Sequence, residues 1–325
     1  MPDQAKLIKE SSNKLGYKYT DLDEGNGYLI KVENKGNYVF LSSGSICSYP
    51  INSATSVGLA SDKSHSARIL TSMGLPCIPG NHFFVTDSHV KLRNPGHEYS
   101  DAFDYAEKLG YPIFCKPNSG SRGDFAERIN SKRSLREYIE TVKQKYTSIL
   151  IQKFIVGKEY RLFCFDDDVI FGYKKSPNYL VGDGVCTISE QIDNYNESIQ
   201  GIGISSINKR NLVDFLGERN RSLASILAKD EKLYIQGRAN LSTGGEISDF
   251  STIPNEELSK LSLSCSKVMN LRICGVDIID VSEHNDLSKL MVLEINGNPS
   301  LSSLMESERM SIAIDIWVRL LKEIL

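Results

Sequence analysis

Two apolar strands near the end of the chain, each interrupted by a carboxylate, constrain the fold more than any other feature of the sequence. GVDIIDV (275–281) and LMVLEIN (290–296) flank the polar turn SEHNDLS, and so short a connection predicts an antiparallel pair. Glu294 and Asn296 lie two apart on the second strand, so both side chains point to one face. Asp277 sits on the first strand. An acid or an amide is costly to bury among apolar neighbours without a partner. Three oxygen donors, two of them anionic, would suit magnesium, which prefers hard oxygen ligands and completes its shell with waters and phosphates. Solvent-facing polar residues on an amphipathic hairpin are the competing account.

Upstream, strands and helices alternate in a pattern expected of an α/β or α+β protein. GYLIKV and NYVFL read as strands. Ala102, Tyr105, Ala106 and Leu109 fall at helical spacing, with Gly110 as C-cap before the strand YPIFCKP. Ser134 with Glu137 predicts a capping box, and Leu135, Tyr138, Ile139 and Val142 follow on one face. The strand ILIQKFI, then Gly157, then a hairpin YRLFCF-DDD-VIFGY come next. A helix near 255–270 aligns Leu258, Leu261, Cys265 and Val268, and an Ile- and Leu-rich helix closes the sequence. The polar, weakly periodic segment from Gly182 to Asn220 reads as a long functional loop with some helix.

Three further segments carry residues suited to chemistry. In FCKPNSGSRGDF, Lys116 ends an apolar strand before a loop with Gly120 and Gly123. Its backbone amides could approach phosphate oxygens closely, although a plain surface turn fits as well. In IQKFIVGKEYRLF, the backbone around Ile155 offers an adenine edge its partners and Glu159 a carboxylate for ribose hydroxyls. An ordinary strand-turn-strand with a salt-bridged Glu is the alternative. In GRANLSTGGEISDF, Arg238 and Asn240 alternate onto one face before a Gly-Gly turn, against a structural Arg paired with a nearby acid.

The formal net charge of −3 over 325 residues argues against a general binder of nucleic acid or anionic membrane. No apolar run approaches a membrane span or the core of a signal peptide. The seven cysteines are scattered without a C-x-x-C pair, so a reduced, cytoplasmic setting is expected. The five histidines stand among polar residues and are expected to be exposed. No Ser/His/Asp or Cys/His arrangement is convincing.

In this order and spacing the segments resemble the ATP-grasp superfamily of carboxylate–amine ligases. ASDKSHSARILTSMGLPCIPG is similar to the opening pattern of that family, with Ala60, Asp62, Lys63, Gly74, Pro76 and Pro79 carrying the match. The K-P strand and glycine lid, the hinge with Glu159, Gly182-Asp183-Gly184, N-L-S-T-G-G and E-I-N-x-N-P then follow. The later motifs read closest to the ATP-grasp part of cyanophycin synthetase, with kinship to glutathione synthetase and ribosomal-protein glutamate ligases. The resemblance implies an α+β ATP-grasp fold, two α/β lobes gripping ATP behind a short N-terminal α/β region. Residues 1–62 would form that region, 63–152 the small lobe with its glycine lid, and 153–325 the large lobe with the metal site and substrate loop.

Carried over by position, Lys63 and Lys116 would bind the nucleotide phosphates under a lid containing Gly120, Ser121 and Gly123. Gln152, Phe154 and Ile155 would meet adenine and Glu159 the ribose. Asp277, Glu294 and Asn296 would hold Mg2+, or Mn2+ in its place, and Arg238 and Asn240 would serve the transition state. Lys209, Arg210 and Asn298 are the candidate contacts for a small-molecule or peptide substrate. The implied reaction is amide-bond formation through an acyl-phosphate; a small-molecule kinase and a non-catalytic nucleotide-binding scaffold are the rivals. Departures are a lid poorer in glycine, an amide at Gln152 where several relatives have an acid, and a short N-terminal portion. The last implies that a homodimer partner, or a carrier-bound or peptide substrate, completes the pocket.

Overall fold

Alternation of apolar and polar residues in the first forty residues builds a small meander. Helix α1 (Asp3–Leu15) ends on Gly16 in the left-handed region and leads into β1 (Lys18–Asp21), β2 (Leu29–Asn34) and β3 (Asn37–Ser42), an antiparallel sheet in the order β1-β2-β3. Ile30, Val32 and Leu41 face inward and are buried, as a period of two demands. The computed structural model describes residues 1–325 other than 45, 47, 121–122, 178, 201–205, 208, 235–245 and 306–307, and only the backbone of 210, 211, 214 and 246.

Helices α2 (Ala54–Ser61) and α3 (Lys63–Ser72) follow, capped by Ser53 and Asp62. The small lobe then runs through β4 (Gly80–Phe84), α4 (Tyr99–Leu109), β5 (Ile113–Pro117), β6 (Glu127–Ile129), α5 (Lys132–Val142) and β7 (Ser148–Lys153). Its sheet has the order β4-β7-β5-β6, every pair antiparallel. Phe83, Ile113, Cys115, Ile149 and Ile151 form one core with Ala102, Ala106, Leu135 and Ile139 of α4 and α5. The alternate residues, Gly80, His82, Phe114, Lys116, Leu150 and Gln152, therefore belong to the opposite face of the sheet. Leu70 of α3, which the resemblance assigns to the small lobe, packs instead with the core of the large one.

The predicted capping box at Ser134 and Glu137 needs correcting by one turn. Ser131 is the N-cap, exchanging hydrogen bonds with Ser134 at N3, while Glu137 accepts from Arg133 one turn behind it. Here a serine at N3 returns the N-cap bond in place of the usual Glu or Gln, which hid the true start.

The large lobe opens with the expected hairpin, β8 (Lys158–Phe165) and β9 (Asp168–Ser176). After it, β10 (Tyr179–Val181), α6 (Ile188–Ser198), α7 (Val213–Gly217) and β11 (Lys232–Tyr234) form an inserted subdomain. Its own core comprises Leu180, Ile188, Ile192, Ile207, Leu212, Leu216, Leu227 and Leu233. The segment read as a long loop is thus in good part packed structure. Helix α6 begins at a capping box, Thr187 with Glu190, and its few apolar residues make a narrow stripe that periodicity alone does not reveal.

Next come β12 (Glu246–Ser251), α8 (Glu256–Met269), β13 (Ile273–Asp280), β14 (Leu290–Asn296) and α9 (Met310–Ile324). The central sheet has the order β12-β9-β8-β13-β14, and all eight residues of β13 are buried. One face packs on α8 through Leu162, Cys164, Cys274, Val276 and Ile278. On the other, Phe163, Phe165, Phe171 and Tyr173 join a core shared by α1, the N-terminal sheet and α9. Tyr49 stacks on Trp317 at 5.6 Å within it. The remainder of that second face carries the polar residues of the candidate site.

The histidines are not uniformly exposed. His82 and His97 stack at 4.4 Å, and the backbone carbonyl of His82 meets Nδ1 of His97 at 2.8 Å. Burial and the charges of His97 and Arg68 push the His82 imidazole down to about 4. Among the described residues, no helix is long and apolar enough to cross a membrane.

Candidate functional site

The register of β13 against β14 pairs Asp277 with Glu294 and Gly275 with Asn296, with a bulge just after Asp277. Directly opposed residues share a face, so both acids and the amide lie on one surface, as their spacing leads one to expect. Their surroundings differ sharply. Asp277 is buried, and Arg161, its register partner on β8, donates from Nε to Oδ1 at 2.6 Å and from Nη2 to Oδ2 at 2.7 Å. Lys175 of β9 donates to Oδ2 at 2.7 Å. Burial by itself would raise the pKa of Asp277, but the charges of Arg161 and Lys175 outweigh it and hold the carboxyl well below the usual range.

Glu294 is about a third exposed, with its Oε2 3.8 Å from Lys116 Nζ. Asn296 Oδ1 accepts from the Asn298 backbone amide at 2.9 Å. Two carboxylates and an amide fit a hard divalent cation that takes its remaining oxygens from phosphates and water. Oδ1 of Asp277, with one hydrogen bond, keeps a lone pair for such a role. Among the described residues no group of three or more His, Cys, Asp or Glu could hold a metal.

Lys116 lies at the end of β5, buried, and brings a cation from the small lobe to the acids of the large one. The loop after it is tied to the start of α3. Asn118 donates to Asp62 Oδ2 at 2.9 Å and accepts from the Ser64 amide at 2.9 Å, while Lys63 Nζ donates to the Gly120 carbonyl at 2.6 Å. Lys63, Lys116 and Gly120 are thus neighbours. At the far end of the lid Asp124 accepts from Tyr146 at 2.7 Å and from Lys145 at 2.5 Å, and Gly123 has a φ of +70°. Ser121 lies outside the described residues.

Gln152 is buried at 2% exposure, yet its Oε1 has no hydrogen-bond partner. Gly80 stands opposite it, and a Cβ there would come within 2.6 Å of Gln152 Cγ. Glycine is what leaves the amide its place. Phe154 and Ile155 follow on the connection to the large lobe, half-buried. At Gly157 a Cβ would fall 2.2 Å from the Asp280 carbonyl, so a glycine lets this hinge lie against the end of β13. Glu159 is buried at the start of β8, opposite Ile279 and Lys175.

The three substrate candidates scatter. Lys209 donates to Asp193 at 2.6 Å and Ser189 at 2.8 Å, inside the inserted subdomain. Only the backbone of Arg210 is described. Asn298 accepts from the Ser48 amide at 3.0 Å and donates to the Ile46 carbonyl at 3.2 Å, holding the segment around residues 46–48 beside the end of β14. Arg238 and Asn240 lie outside the described residues. Sequence reasoning placed Asn118 in the loop expected to close over the phosphates but passed over Arg161 and Lys175. Arg161 stands two residues from Glu159 on the same strand face, a signal that was available; Lys175 could not be found without the strand register.

A central sheet holding the acids, a smaller sheet holding the lysine, and a hinge between them make the ATP-grasp fold. A bifunctional glutathione synthetase from Pasteurella multocida superposes with a TM-score of 0.55 at 19% identity, over 97% of this chain and 44% of that one. Residues 231–324 match the model of the RimK-like ATP-grasp domain. The glutathione biosynthesis bifunctional protein GshAB of Listeria monocytogenes is 28% identical over 200 residues, 58% of this chain and 26% of that protein. Cyanophycin synthetase of Trichormus variabilis is 28% identical over 252 residues, 75% of this chain and 27% of the relative. The resemblance found in the sequence motifs therefore holds. The chain spans about a quarter of the length of these curated relatives.

Proposed function

We propose that the chain is an ATP- and magnesium-dependent ligase that joins a carboxylate to an amine through an acyl-phosphate. The observation that carries this reading is the meeting of Lys116 from one lobe with Glu294 from the other at 3.8 Å. A cation suited to phosphate oxygens and a carboxylate suited to a metal face each other across the cleft between two sheets. The unpartnered Oε1 of Gln152 adds support, since a buried acceptor suits the exocyclic amine of adenine.

In the first step a substrate carboxylate oxygen forms a bond to the γ-phosphorus, the bridging P–O bond breaks, and ADP leaves. In the second the amine attacks the acyl carbon, loses a proton, and phosphate departs from the tetrahedral intermediate. Magnesium, or manganese in its place, would supply charge neutralisation at the phosphates, held by Asp277, Glu294 and Asn296. Lys63 and Lys116 orient the phosphates and offset their charge, and Arg238 and Asn240 serve the oxygens of the tetrahedral state. Glu159 holds the ribose. Neither step needs a protein nucleophile; positioning and preorganised charge are enough. The substrates are an amino acid, a small peptide or a related small molecule.

Incubation with ATP and magnesium across pools of amino acids and short peptides tests the proposal, with phosphate release and product masses as readouts. Phosphate release that needs both substrates, with a product one water lighter than their sum, is the expected result. A product heavier by a phosphoryl group would replace the ligase with a kinase. Nucleotide binding without turnover in any pool would favour a scaffold.

A further inference from the structure

One row of residues runs across the small-lobe sheet and out toward the inserted subdomain. The registers align Gly80, Gln152, Phe114 and Arg128 across β4, β7, β5 and β6, on the face turned away from α4 and α5. Phe154 lies two residues past Gln152. The guanidinium carbon of Arg128 stands 5.0 Å from the centroid of its ring. The same guanidinium donates to both carboxylate oxygens of Glu218, at 3.0 and 2.6 Å. Glu218 directly follows α7, so the pair joins the small lobe to a body that is far away in sequence.

A bidentate fork fixes the plane of a guanidinium as well as its position, and a cation over a ring face constrains that ring in turn. The Arg128 charge holds the Glu218 carboxyl below its usual pKa, chiefly by hydrogen bonding. Beside the pair is an open cleft of about 550 Å³, lined by Tyr111, Pro112 and Asn130 on one side and Val213 and Gly217 on the other. The ion pair bridges the two bodies at the edge of that space. Both partners are partly exposed, at 25% and 46%, so the link is weak enough to break and remake.

We propose that Glu218 is a positioning residue for the nucleotide site. By orienting Arg128 over Phe154 it couples adenine binding at the hinge to the placement of the inserted subdomain. The inference rests on the nucleotide reading of the hinge given above. Coupling of this kind is reciprocal, so a ligand that moves the subdomain changes nucleotide affinity, and nucleotide changes the affinity for that ligand by the same factor.

Calorimetric titration of the full chain with magnesium and a non-hydrolysable ATP analogue tests it, using wild type, Glu218→Gln, Glu218→Asp, Phe154→Leu and the Glu218→Gln/Phe154→Leu double variant. Glu218→Gln is expected to weaken nucleotide roughly two- to fivefold, the worth of a partly exposed ion pair, with an unchanged unfolding midpoint. Glu218→Asp should recover most of that loss. In the Phe154→Leu background Glu218→Gln should have no further effect, because the ring that carries the coupling is gone. Equal affinity of wild type and Glu218→Gln overturns the inference alone, as does a Glu218→Gln loss that persists in full without Phe154. A wild-type chain that does not bind the nucleotide overturns the reading of the hinge and this inference with it.

Discussion

The two walls of the cleft satisfy their buried polar groups in opposite ways. On the large-lobe wall Asp277 is buried and already accepts three hydrogen bonds, two from Arg161 and one from Lys175. On the small-lobe wall Gln152 is at least as buried, yet its Oε1 accepts none. A buried acceptor left unpaired costs about 1–3 kcal/mol, which bound adenine could repay. One wall thus pairs its buried carboxylate within the protein, and the other leaves a buried acceptor open.

Breaking the paired wall should have the largest consequence. Asp277→Asn leaves Arg161 and Lys175 facing a neutral amide, and loss of one partner of a buried ion pair costs about 3–5 kcal/mol. A urea unfolding midpoint equal to that of wild type would show the triad to be dispensable for stability. Glu294→Ala should separate chemistry from folding on the same wall. Turnover should fall about a hundredfold or more, with the unfolding curve unchanged because Glu294 is a third exposed. Near-normal turnover would remove Glu294 from the metal site.

The wall with the open acceptor sharpens the contrast in the other direction. Gln152→Leu should weaken ATP roughly five- to tenfold, the worth of one net hydrogen bond, leave GTP unaffected, and not destabilise the ligand-free chain. Equal ATP affinities of variant and wild type would show that Oε1 makes no contact with the base.

The smallest effect is expected at His82, on the same face as Gln152. Its imidazole is held neutral down to about 4, whereas an unfolded histidine takes a proton near 6.5. The unfolded state therefore binds more protons between those values, and stability should decline as pH falls through that window. His82→Gln should flatten the decline. Unfolding midpoints at pH 7.5 and 4.5 for both proteins decide it, with an identical drop counting against His82.

Much of this was legible from residue order. Acids at Asp277 and Glu294 inside apolar strands could be read without any structure, as could the hairpin from Tyr160 to Tyr173, because local patterns fix both. Arg161 shares a strand face with Glu159 and could have been placed at the site, but its pairing with Asp277, and any place for Lys175, come only from the registers β8–β13 and β8–β9. The Arg128–Glu218 pair spans 90 residues and leaves no local trace. The start of α6 was readable at Thr187 and Glu190, but the polar composition around it obscured the signal. His82 looked exposed from its polar neighbours in sequence; it is half-buried and stacks on His97, fifteen residues on.

The core shared by the N-terminal sheet and α9 has a consequence for synthesis. Trp317 and Leu320 of α9 pack in one cluster with Ile8, Ile30 and Val32, and Ser11 donates to the Ile314 carbonyl at 3.1 Å. A ribosome adding about 5–20 residues per second finishes the meander on the order of tens of seconds before it delivers the helix that covers its inner face. The meander is thus made well before the helix that completes its core, and during that interval its apolar side needs a temporary cover, supplied by a chaperone or by the nascent central sheet.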